Sequence, residues 1–208
     1  MNREGLIRKI VTTVEEINYG GPFSRAPGEV NEDELLLSLA REGGAQEAEL
    51  IVDLVRNPIS GEEAAKALTS QGRFASELKQ YLGAHLVVNP DQLLDLVNEA
   101  ASRYSYGERL VIKAFGILPD ETPKRYLPAL ERAWSHSKED PDVVGSILSA
   151  LSMCFDEETE EILQRLLARE QEASPDLGAR IAATLSGVTQ SLHLNIGRTY
   201  RIQVDLHL

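Results

Sequence analysis

Helix-start signals recur along this chain at a nearly constant interval, and no other feature limits its fold so tightly. A polar residue followed by proline stands at Asn57-Pro58, Asn89-Pro90, Thr122-Pro123, Asp140-Pro141 and Ser174-Pro175. Each pair offers a side-chain oxygen to orphan backbone N–H groups, then a ring whose fixed φ suits the first helical residue. Ser105-Tyr106-Gly107-Glu108 has the form of a capping box, and Asp156 precedes an acidic turn. Two interleaved series result: 57, 89, 122, 156, and 105, 140, 174. Two alternating helices per unit of about 34 residues is the pattern of an α-solenoid, in which each unit buries its apolar face only against its neighbours.

Apolar spacing supplies the helices between these starts. Leu6, Ile7, Ile10, Val14 and Ile17 share one face of a first helix, and the loop Tyr19 to Val30 follows with three glycines and two prolines. Asn31 with Glu34 opens a helix stopped at Gly43-Gly44, and another runs from about Ala45 to Arg56. Four pairs then fill residues 57–190, the first opened by the capping box Ser60-Gly61-Glu62-Glu63. Their stripes include Phe74, Leu78, Tyr81 and His85; Leu93, Leu96 and Val97; Leu130 and Trp134; Leu151 and Phe155; Ile162, Leu163 and Leu166; and Ile181, Leu185 and Val188. The expected organisation is a helical array over 1–190, its first 56 residues irregular, then a tail over 191–208. In that tail Leu192, Leu194 and Ile196, then Tyr200, Ile202, Val204, Leu206 and Leu208, alternate around Gly197-Arg198, which predicts a β-hairpin.

Residues 126–152, YLPALERAWSHSKEDPDVVGSILSALS, resemble a HEAT repeat unit: an L-P-x-L first helix, an acidic Asp-Pro-Asp turn and a second helix of small and aliphatic residues. SPDLGARIAATLSGV at 174–188 and YGERLVIKAFGIL at 106–118 look like the second halves of two such units, and the resemblance covers about residues 90–190. It implies a right-handed superhelix whose second helices line a concave protein-binding face. Gly145 and Ser146 stand where such units usually carry arginine, so the Asp–Arg ladder of the family is incomplete.

Charge and cysteine content narrow the function. The net charge is −12, with −6 in residues 1–72, −6 in 141–190 and near-neutrality between. So acidic a chain opposes encounter with phosphates, which argues against nucleic acid and for a protein partner with a basic surface. One cysteine, Cys154, leaves no intrachain disulfide framework and points to the cytoplasm. The N-terminal MNREGLIRKIVTTVEEI mixes charge into its apolar residues, unlike a secretory leader, and no apolar run is long enough to span a bilayer.

No catalytic constellation assembles from the sequence. The histidines, His85, His136, His193 and His207, lack metal-ligand spacing, and the acids Glu157, Glu158, Glu160 and Glu161 suit the positive end of a helix rather than general acid–base chemistry. Neither a metal nor a cofactor is expected. The candidate partner-binding residues are Tyr106, Arg109, Lys113, Ser146, Ser149 and Arg180 on the second helices, Tyr104 at the end of a first helix, and Tyr19 and Phe23 on the glycine-rich loop. The function expected is a non-enzymatic scaffold, inhibitor or immunity-type module. A HEAT-like glycosylase or lyase with a substrate groove is the competing class, and the tail offers a route to a homodimer.

Overall fold

A computed structural model of the chain describes residues 1–19, 32–103, 106–117 and 122–205. Among the described residues the structure is all-helical and contains no strand. The helices are α1 (Arg3–Tyr19), α2 (Glu32–Arg56), α3 (Gly61–Lys66), α4 (Gln71–Val88), α5 (Pro90–Ser102), α6 (Tyr106–Ala114), α7 (Leu127–Ser137), α8 (Pro141–Ser152), α9 (Glu157–Glu170) and α10 (Pro175–Asp205). Short 3-10 turns at Phe115–Ile117 and Lys124–Tyr126 lie between α6 and α7. The chain forms two compact units, Met1–Ile147 and Leu148–Leu208, divided within α8.

The start signals vary in how they act. Ser60 accepts from the Glu63 N–H at 3.2 Å while the Glu63 carboxylate accepts from the Ser60 N–H at 2.8 Å, the reciprocal capping box read from the sequence. Asp156 accepts from the Glu158 N–H at 2.9 Å, and Asp140 from the N–H groups of Asp142 and Val143 at 3.1 and 3.3 Å. Asn57-Pro58 does not begin a helix: the Asn57 amide donates back to Asp53 at 2.8 Å, and Ser60 is the cap. Asn89 precedes α5 without a side-chain cap bond, because its amide is used elsewhere. Thr122 is buried with an unpartnered hydroxyl, and the chain passes through a 3-10 turn before α7.

In the N-terminal unit the helices pack as two rows. Helix α4 lies between α1 and α6 in one row, α5 lies between α2 and α7 in the other, and α2 and α5 pack across onto α4 and α6. Trp134, Tyr81, Tyr126 and Phe115 are the largest side chains buried there. Phe115 and Tyr126 meet edge to face with centroids 5.2 Å apart, and the Tyr126 hydroxyl donates to the Pro90 carbonyl at 3.3 Å. Burial pushes the Tyr126 phenol above its ordinary pKa. Arg3 ties α1 to its neighbours, donating to Asp53 at 2.5 Å, to Glu63 at 3.0 Å and to the Asn57 carbonyl at 2.6 Å. Helix α2 is broken at Gly44, whose φ of 57° and ψ of −155° lie in a region open to glycine, as the Gly43-Gly44 stop predicts.

In the C-terminal unit α9 packs on α10 through Ile162, Leu163, Leu166, Ile181 and Val188, all buried. Cys154 is buried, but Phe155, expected in the same stripe, is 46% exposed just before Asp156 caps α9. The expected hairpin is replaced by helix: α10 continues through residues 191–205 without a break. An alternation of two is also a repeat of four, so Leu192, Ile196, Tyr200 and Val204 keep a spacing that a helix accepts. Gly197 alone does not stop it, since a glycine in a helix costs only about 1 kcal/mol. No strand edge is therefore offered by those residues.

Candidate functional site

The basic residues picked out on α6 come together in the N-terminal unit, and the acidic turn before α8 holds them. Lys113 Nζ lies 3.4 Å from Asp140 and 3.2 Å from Asp142, and Arg109 reaches Asp140 at 4.0 Å. Ser146 joins this group by donating to the Asp142 carbonyl at 2.9 Å. Burial would raise the Asp140 pKa; the Val143 N–H and the Lys113 ammonium outweigh it and hold the carboxyl below its ordinary value. Ser149 and Arg180 belong to the C-terminal unit, where both are exposed. Tyr106 opens α6 and Tyr19 closes α1, and their side chains fall outside the description; Tyr104 and Phe23 lie outside the described residues.

Lys113 and Arg109 also line an open pocket of about 440 Å³ in the valley between α4 and α6. Lys79 completes its basic side, and Gly72, Ala75 and Ser76 supply its α4 side. Gly72, Ala75 and Leu110 are shared with an adjoining apolar pocket of about 300 Å³, walled by Leu54, Val55, Phe74 and Leu78. The helical spacing 72, 75, 76, 79 explains the valley, because it leaves one face of α4 with a floor of small residues.

Reading the sequence did not reveal a second constellation, formed by Lys9, Glu47, Tyr81, His85 and Asn89. Glu47 is buried, yet its carboxylate is fully engaged: Lys9 donates to both oxygens at 3.0 and 2.8 Å, the Tyr81 hydroxyl donates to Oε1, and His85 Nε2 lies 3.3 Å away. The Asn89 amide donates to His85 Nδ1 at 3.0 Å and to the Ala40 carbonyl at 3.3 Å. With the Asn89 amide on Nδ1, the Nε2 side of the His85 ring is directed at Glu47. Burial would raise the Glu47 pKa, but hydrogen bonds from His85, Lys9 and Tyr81 prevail and bring it down to about 2. Tyr81 is pushed up by burial and by the same carboxylate. Gly43 makes room for the carboxylate, since a Cβ there would stand 2.4 Å from Glu47 Cδ. The signal in the sequence was a helical stripe in which Tyr81, His85 and Asn89, four apart, mix polar groups into an apolar face.

The centre of this cluster is closed to solvent. The side chains of Glu47 and His85 are 1% and 0% exposed, and only Lys9 reaches solvent, at 26%. Among the described residues no three histidine, cysteine or acidic side chains are placed to hold a metal ion, and no helix is long and apolar enough to cross a membrane. Comparison with protein-family models, curated proteins and solved structures finds no match to this chain.

Proposed function

We propose that the protein is a non-enzymatic, cytoplasmic protein-binding module of the inhibitor or immunity type, built as a right-handed superhelix of HEAT-like helical pairs. Its acidic surface meets a partner with a basic one. The observation that carries this reading is the two-row packing of α1–α4–α6 and α2–α5–α7, the arrangement in which stacked helical pairs present an extended face. The charge supports the choice of partner: Glu157, Glu161, Glu172 and Asp176 are exposed on one unit of a chain carrying −12. The most chemically equipped group of side chains, at Glu47, keeps its carboxylate and imidazole buried, which favours this reading over a catalytic one.

The test is capture from native lysate on immobilised protein, followed by a salt gradient and mass spectrometry of each fraction. Basic proteins released in the low-salt fractions, and lost when Glu157, Glu161, Glu172 and Asp176 are changed together to lysine, are the expected result. Capture of acidic or neutral proteins that salt does not release would defeat the reading.

A further inference from the structure

We infer that the valley between α4 and α6 is a second recognition site, of opposite charge to the rest of the molecule. It takes an acidic amphipathic helix from a partner protein, independently of the acidic surface. In a chain of net charge −12, the pocket at one end of this valley is lined by Lys79, Arg109 and Lys113, and no carboxylate lines it. Asp140 and Asp142 engage Arg109 and Lys113, which fixes their positions. Lys79 forms no ion pair among the described residues, so its charge has no counterpart among them. An anion is the complement that this end lacks.

The apolar end defines the rest of the occupant. The two pockets share Gly72, Ala75 and Leu110, so apolar and cationic ends are continuous along one valley. Pockets of about 300 and 440 Å³, open side by side between two packed helices, suit a segment laid along them rather than one compact molecule. At Gly72 a Cβ would meet nothing within 4 Å, so the floor has space for a third helix to approach. The matching segment places leucine or phenylalanine over Gly72, Ala75 and Leu110, and Asp or Glu on the same face one turn away, against Lys79.

The probe is a fluorescein-labelled helical peptide of about four turns with leucine and phenylalanine on one face and two glutamates one turn beyond them. Twins carrying glutamine or lysine in place of the glutamates complete the set, and anisotropy is read at low salt on the whole protein. The acidic peptide is expected to bind about tenfold more tightly than the glutamine twin, and the lysine twin more weakly still. Lys79→Glu should remove that preference. Gly72→Trp, whose ring would occupy the valley, should abolish binding while circular dichroism stays unchanged. Equal affinity for the acidic and glutamine peptides, or no loss in both variants, would overturn the proposal, as would no binding of the acidic peptide.

Discussion

In the N-terminal unit a carboxylate, a lysine, a tyrosine and a histidine are packed among leucines; in the C-terminal unit the buried face of α9 is Ile162, Leu163 and Leu166, with Thr159 beside them. Both units bury polar atoms, but on different terms. Lys9, Tyr81 and His85 all reach the Glu47 carboxylate, whereas the Thr159 hydroxyl has no hydrogen-bond partner. A buried polar group costs little once its partners are in place and a good deal when they are not. Removing a polar group should therefore have opposite signs at Glu47 and at Thr159.

Glu47→Ala is the severest test. It strands Lys9, Tyr81 and His85 around an empty site, and we expect a loss of about 3–5 kcal/mol in denaturant unfolding. A loss below about 1 kcal/mol would mean that the cluster contributes little. Acid should reach the same group. Its folded pKa of about 2 lies below the ordinary 4.5, so its contribution is complete above about pH 4.5 and disappears as pH falls toward 2. Hydrogen exchange should show α2 and α4 losing protection over that interval, a loss on the order of 3 kcal/mol. Gly43→Ala sharpens the point: the new methyl must displace a carboxylate held by three side chains, costing about 2 kcal/mol of thermal stability.

The two predicted gains are smaller and lie in the C-terminal unit. Thr159→Val replaces an unpartnered buried hydroxyl by a methyl and should stabilise by about 1 kcal/mol, raising the melting temperature. Gly187→Ala sits inside α10 where an added Cβ meets nothing within 4 Å, and should add about 0.5–1 kcal/mol. If Thr159→Val destabilised instead, the contrast between satisfied and unsatisfied polar burial would fail.

Much of the secondary structure was legible because its signals are local. Capping at Ser60, Asp140 and Asp156 needs only a side chain and the next few N–H groups, and those three read correctly. The tail misled because alternation of two is compatible with both periods, and no turn residue stronger than Gly197-Arg198 separates them. The Glu47 cluster could not be assembled from spacing, since Lys9, Glu47 and Tyr81 are brought together only when α1, α2 and α4 pack. The basic group on α6 was half legible. Its outward direction followed from the apolar stripe, while its pairing with Asp140 and Asp142 depends on the packed unit.

Asn89 illustrates a conflict between rules that act at one position. Viewed along the chain it belongs to α5, where serine or aspartate would serve as well. Viewed across the fold its amide is a bracket joining three helices: it leaves the end of α4, grips His85 one turn back and fastens to Ala40 on α2. Neither serine nor aspartate has two N–H groups to give. In a library randomised at this codon and sorted for folded protein, the best helix initiators should fall behind asparagine, so the local optimum for starting a helix is not the optimum for the protein. The joint between α4 and α5 is thereby tied to α2 by one amide group.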